Sequence, residues 1–161
     1  MEPMLKNVAQ VAIVVKDCDA MVKKYADDYG IGPWIIYEFN PDTVENMIIR
    51  GERVDYAMRL ALCNIGNVQW EIIEPKDDKS IYAEFLKEHG EGLHHCAFIA
   101  DYNEFDQKMK SKGYKVLQAG TWTGFTYTYY PTQEELGVIV ETYDVPEGWE
   151  WPEPDAVYPP K

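Results

Sequence analysis

Two stretches decide how the chain is read: Gln10-Val11-Ala12-Ile13-Val14-Val15 and His95-Cys96-Ala97-Phe98-Ile99-Ala100. Both are apolar runs of strand length, and both are followed by an aspartate, Asp17 and Asp101, suited to capping a helix. Outward from each, the same order of elements recurs. After Asp17 or Asp19, Met21, Val22, Tyr25, Ala26 and Tyr29 return at helical spacing until Gly30; after Asp101, Phe105 and Met109 do the same until Gly113. Three more strands are predicted in each half, at Trp34–Phe39, Asp55–Cys63 and Val68–Ile73, and at Tyr114–Gln118, Phe125–Tyr130 and Gly137–Tyr143. The turn-forming run Asn64-Ile65-Gly66-Asn67 joins two of them as a hairpin, while Val44–Glu52 fits neither period. The endings match as well: Gly66-Asn67-Val68-Gln69-Trp70-Glu71 lies over Gly137-Val138-Ile139-Val140-Glu141 with one residue fewer.

The chain therefore reads as an α+β protein built from a duplicated βαβββ unit. The first module is expected at residues 1–78 and the second at 93–145. Between them, 79–92 forms a bridging helix that Ser80 caps and that carries Ile81, Phe85 and Leu86. The tail, 146–161, is too rich in proline for a helix or a central strand and is expected to pack as an extended arm or to stay partly mobile.

Composition narrows the function. Of 161 residues, 46% are hydrophobic, which excludes disorder and suffices for one well-buried domain or two fused modules. The 28 acidic against 15 basic side chains give a net charge of -13, a surface that repels nucleic acid and anionic membranes. No apolar run approaches the roughly 18 residues of a membrane span, and no export signal is visible. Cys18, Cys63 and Cys96 form no CxxC pair, so a disulfide framework is not expected and a reducing cytoplasm fits.

Within this pattern four polar side chains stand out. Strand alternation puts Gln10 beside Ala12 and Val14, opposite the Val11, Ile13 and Val15 row that suits packing under the helix. By the same count His95 goes with Ala97 and Ile99, Glu71 with Gln69 and Ile73, and Glu141 with Ile139 and Tyr143. All four point away from the helix layer, onto a face that a curled sheet makes concave. Carboxylates in such apolar strands are costly unless paired or bound to metal, and an oxygen-rich set with one imidazole suits Zn, Ni, Co or Mn.

The openings and endings of both halves resemble the vicinal oxygen chelate superfamily, which includes methylmalonyl-CoA epimerase and glyoxalase I. The resemblance covers about residues 5 to 145. It implies a sheet curled round a metal-centred cleft, with Gln10, Glu71, His95 and Glu141 as metal ligands and Glu141 as the catalytic base. In the epimerases a second carboxylate sits on the third strand of the first module, and Glu52, in Arg50-Gly51-Glu52-Arg53, is the residue nearest that place. The expected activity is that of a divalent-metal-dependent epimerase or isomerase that abstracts a proton next to a carbonyl, with an acyl thioester as substrate. The alternatives are a lactoylglutathione-lyase type of enzyme acting on a hemithioacetal, and a metal-free protein that sequesters a small molecule such as an antibiotic. A homodimer is expected.

Other residues carry plainer readings. His94 falls on the face opposite His95 by alternation and reads as a packed or hydrogen-bonded histidine. His89 belongs in a last helical turn, where positive charge is favoured. Cys96 reads as core. Trp34, Tyr37, Trp122, Phe125, Tyr127 and Tyr129 suit either a pocket or a core.

Overall fold

The computed structural model describes residues 2–160. The first half runs β1 (Asn7–Val14), α1 (Cys18–Tyr29), β2 (Trp34–Phe39), β3 (Val44–Ile49), β4 (Glu52–Arg53), β5 (Met58–Ile65) and β6 (Val68–Pro75). Helix α2 (Ile81–His89) bridges to β7 (Gly92–Ile99), α3 (Tyr102–Ser111), β8 (Gln118–Trp122), β9 (Phe125–Tyr130), α4 (Gln133–Leu136) and β10 (Ile139–Asp144), and β11 (Ala156–Tyr158) lies in the tail. The strands form one sheet in the order β11-β2-β5-β6-β1-β7-β10-β9-β8-β3-β4. Its centre is the antiparallel pair β1 and β7, so the two halves of one chain join edge to edge.

Local chemistry sets the elements as expected. The Asp17 carboxylate accepts from the Ala20 amide, Ser80 Oγ from Ala83 and Asp101 from Glu104, each holding a free amide at a helix start. Gly30, at φ 67°, ends α1 in the left-handed conformation. Gly66, at φ 64°, sits in the tight turn where Ile65 pairs with Val68.

Two packing layers follow from strand alternation. Ile13, Val15, Ile36, Ala61 and Ile72 pack under α1 with Val22 and Cys18, and Trp34 is fully buried there as core. Burial pushes the Cys18 thiol up to about 12, which keeps it protonated and inert. Tyr29, at the end of the helical stripe, is 71% exposed and faces away from the core. The opposite face carries Ala12, Val14, Tyr37, Phe39, Leu60, Leu62 and Tyr129 and forms the inner wall of the curl.

The sheet departs from the predicted strands in two places. Residues 44–53 form a hairpin, β3 and β4, and β3 pairs with β8, so a segment of the first half extends the sheet of the second. The strand expected at Tyr114–Gln118 begins instead at Gln118. Tyr114 and Val116 pack with Phe105 and Met109 beneath α3, and they form the link into β8. Gln-Ala-Gly-Thr reads poorly as a strand, yet Gly120 has to be there: a Cβ at that position would meet the Tyr127 hydroxyl at 2.4 Å and Val44 Cγ1 at 2.8 Å. The curl is tight enough that Tyr37 and Phe39 of β2 meet Trp122 of β8, with ring centroids 4.8 and 4.7 Å apart.

The tail is the extended arm expected of it. Its strand β11 pairs with β2 in the register Ala156–Ile36 and Tyr158–Trp34. Further tethers are Tyr37 OH donating to the Pro152 carbonyl at 2.9 Å and the Glu38 amide donating to Asp155 at 2.7 Å.

Candidate metal centre and cavity

The centre of the sheet is built twice. Gln10 of β1 pairs with Gln69 of the parallel neighbour β6, and Glu71 follows two places on; His95 of β7 pairs with Ile139 of the parallel β10, and Glu141 follows two places on. In the β1–β7 ladder the register slips once at Ala9, just before Gln10, and once at His94, just before His95. A bulge re-aims the side chain beside it. The bulges displace Ala9 and His94; alternation is regular from Gln10 to Ala12 and from His95 to Ala97, so Gln10 and His95 share the inner face with Glu71 and Glu141.

All four residues are at least 94% removed from solvent on this face, with exposures of 5% for Gln10, 6% for Glu71, 1% for His95 and 3% for Glu141. One ligand atom from each of Glu71, His95 and Glu141 lies within 4.8 Å of the others. His95 Nε2 stands 3.0 Å from Glu141 Oε2 and 3.4 Å from Glu71 Oε2. Despite these distances neither oxygen lies in hydrogen-bonding direction from the ring, and Nε2 is left without a partner. The inward atom of the Gln10 amide is 3.0 Å from Glu71 Oε2, 3.2 Å from Glu141 Oε2 and 2.9 Å from the Tyr143 hydroxyl. With oxygen inward, Gln10 is a further donor facing the same point; with the amide turned over, its NH2 donates to both carboxylates.

This geometry fits a divalent cation. Donor atoms about 2.1 Å from a common ion stand roughly 3.0 to 3.4 Å from one another, depending on coordination geometry. The set is three oxygens and one imidazole nitrogen, which an ion would bind in place of a proton. The electrostatics agree. Burial raises the Glu71 carboxyl above its usual range, as does the charge of Glu141, with His95 opposing. For His95 burial works toward the neutral form, but Glu141 and Glu71 outweigh it and raise the imidazole to about 9. A field that holds a proton this firmly attracts any cation placed there.

His94 departs from the predicted alternation. The bulge leaves it buried behind His95, with the two Nδ1 atoms 2.8 Å apart and its ring against Tyr82 and Phe85. Burial pushes its own imidazole well below the ordinary range, as does the neighbouring His95, so it is neutral. Glu52 is not brought to the site. It is an exposed residue of β4 paired with Ile49 across the hairpin, and it does not line the cavity. His89 ends α2 on the surface, and Cys96 is half-buried.

Gln10, Glu71 and Glu141 line the polar side of a cavity of about 310 Å³, and His95 reaches it only through the two carboxylates it touches. Its walls are Tyr37, Phe39, Trp122, Phe125, Tyr127 and Tyr129, joined by Trp149 and Trp151 from the arm. The last two were not among the sequence candidates; the signal was two tryptophans in a proline-rich tail. Trp149 donates from Nε1 to the Thr123 carbonyl at 3.1 Å, and its ring lies 5.0 Å from Trp151. Residues 118–126 are β8, its turn and the start of β9, and they supply Trp122 and Phe125 as wall.

Residues 9–130 match the Glyoxalase/Bleomycin resistance protein/Dioxygenase superfamily, and the chain belongs to it. Among solved structures it is similar to methylmalonyl-CoA epimerase from Mycobacterium tuberculosis, at 22% identity and TM-score 0.65 over 89% of this chain and 91% of that one. A hypothetical protein from Bacillus halodurans is similar at 20% identity and TM-score 0.66, over 90% and 98% of the chains. A substituted form of the Streptomyces coelicolor epimerase, in complex with 2-nitronate-propionyl-CoA, is similar at 25% identity and TM-score 0.61, over 92% and 99%. No curated protein sequence matches the chain significantly. No helix among the described residues is long and apolar enough to cross a membrane.

Proposed function

We propose that the protein is a divalent-metal-dependent isomerase that moves a proton at the carbon next to a carbonyl. The observation that carries this reading is the convergence of Gln10, Glu71, His95 and Glu141 on one point beside a substrate-sized cavity that Gln10, Glu71 and Glu141 line. Zn, Ni, Co or Mn suits the donor set, and such an ion, when bound, polarises the carbonyl oxygen and lowers the cost of the enolate.

This chain's own residues handle the proton. Glu141 takes it from the α-carbon, and the electron pair of the C–H bond moves into the carbonyl. The apolar walls keep water from the reacting carbon. Glu141 comes from β10 and Glu71 from β6, on opposite sides of the β1–β7 pair. Delivery of a second proton, held by Glu71 and left as its carboxylate while Glu141 keeps the first, to the opposite face gives the other stereoisomer, the epimerase outcome; return by Glu141 of its own proton to the neighbouring carbon gives the glyoxalase outcome. The position of Glu52 outside the cavity favours the second reading over an epimerase that uses Glu52.

The experiment is metal analysis of the purified protein followed by exchange of substrate α-protons into deuterated water. Stoichiometric divalent metal and exchange above the buffer rate are expected. Absence of metal, or exchange that survives Glu141→Ala, rejects the proposal.

A further inference from the structure

We infer that the cavity takes an uncharged aromatic carbonyl compound, its ring held between Tyr37, Trp122, Trp149 and Trp151 and its carbonyl toward the Glu71–His95–Glu141 cluster. The carbonyl end of this inference rests on the proposed reaction; the selection of a ring does not.

The hydroxyls of the wall tyrosines and the indole N–H of Trp149 are already committed elsewhere. Tyr37 OH donates to the Pro152 carbonyl, Tyr127 OH bonds Tyr56 OH at 2.6 Å, Tyr129 OH accepts from Tyr82 OH at 2.7 Å, and Trp149 Nε1 donates to Thr123. The cavity thus meets these side chains as ring surface, which favours stacked and edge-to-face contact with another ring.

Charge excludes the obvious thioesters. No lysine or arginine lines the cavity. Arg50 pairs with Glu84, Arg53 with Asp55 and Arg59 with Asp19 and Glu38, so each arginine already has a carboxylate partner. The phosphates of coenzyme A, or the carboxylates of glutathione, would lie in the field of a chain with net charge -13, and the free carboxylate of methylmalonyl-CoA would meet two buried glutamates. The volume of about 310 Å³ suits a one- or two-ring compound.

The mouth gives the third argument. Val145 and Trp151 are each 50% exposed where they line it, large apolar surface that a bound ring would cover. Both lie beyond residues 9–130, as does Trp149, so this part of the wall stands outside the stretch that matches the superfamily.

The test is binding to the full-length protein, read by quenching of tryptophan emission and by calorimetry, with 2-tetralone, 2-naphthylacetate and methylmalonyl-CoA as probes. Trp122, Trp149 and Trp151 are the reporters. Saturable binding of 2-tetralone is expected, with the naphthylacetate anion at least about tenfold weaker and no saturation by methylmalonyl-CoA. Trp151→Ala should weaken 2-tetralone about tenfold by calorimetry, and Trp151→Phe should restore most of the loss. Failure of 2-tetralone to saturate, tighter binding of methylmalonyl-CoA, or an unchanged affinity in Trp151→Ala overturns the inference. Ring binding without α-proton exchange rejects the proposed reaction and leaves the inference standing; exchange of an acyl-CoA without ring binding does the reverse.

Discussion

Gln10 and His95 occupy equivalent places: each follows a one-residue bulge in the β1–β7 ladder, and each pairs with the residue two before a glutamate of the cluster. The scaffold is thus close to two-fold symmetric while the donors are an amide and an imidazole. Gln10→His should accordingly retain divalent metal, since a neutral imidazole is also a ligand. Glu71→Ala and His95→Ala should each abolish stoichiometric metal, measured by atomic emission, with an unchanged far-ultraviolet circular dichroism spectrum. Full occupancy in either variant would exclude the coordination set.

His94 Nδ1 meets His95 Nδ1 at 2.8 Å, a contact expected to position the His95 ring. A ligating Nε2 on His95 places the proton on Nδ1, where His94 accepts it and fixes the ring. His94→Phe should weaken metal binding about 10- to 100-fold in competition with a chelator, with His94→Gln recovering part of the loss. Unchanged metal affinity alongside reduced stability would make the contact purely structural.

The carboxylates can be separated without stripping the metal, since glutamine retains a ligating oxygen. Glu141→Gln should lower α-proton exchange by at least about 100-fold. Glu52→Gln should leave it unchanged, because Glu52 is outside the cavity. A comparable loss in both would mean that β4 folds over the site during turnover.

In the ion-free protein the His95 imidazole is raised from 6.5 to about 9 by Glu141 and Glu71 against the effect of burial. A raised value means that the stabilisation is fully present below pH 6.5 and is lost as the pH rises through 9. The ion-free Tm should fall across that window. Divalent metal must displace the same proton, so its apparent affinity should rise about tenfold per pH unit below 9. Calorimetric titration of metal at pH 6, 7 and 8 checks both the slope and its sign, and a flat profile contradicts the assignment of His95 as ligand.

Gly120 lets β8 lie against the Tyr127 ring, and any Cβ there collides with it. Gly120→Ala should cost about 1–3 kcal/mol in urea denaturation. It should also blunt 2-tetralone binding, because Tyr127 is cavity wall. No change in either would mean that the wall yields freely.

Much of this architecture was legible because it is local. Caps at Asp17, Ser80 and Asp101, the strand at Trp34–Phe39 and the inner-face placement of Gln10, Glu71, His95 and Glu141 follow from short-range chemistry and period-two alternation. The reading failed where a long-range contact overrides local preference. The bulge at His94 is set by the ladder with β1, the strand at Gln118–Trp122 by the Tyr127 ring on Gly120, and the β3–β4 hairpin by pairing with a strand some seventy residues further along the chain. Trp149 and Trp151 were hidden for the same reason, since only the docking of β11 on β2 brings the arm across the cavity.

That docking also governs how the protein meets its own kind. A long open sheet edge recruits further strands and is a common start of aggregation. Here the outermost strands are three and two residues long, β11 at one end and β4 at the other, so little unpaired backbone is offered. A second copy has scant purchase for strand addition, and any association has to use side-chain faces instead. Cleavage of the arm ahead of Ala156 would uncover the apolar strand Trp34–Phe39 as an open edge, so the three residues of β11 serve as a safeguard of colloidal stability.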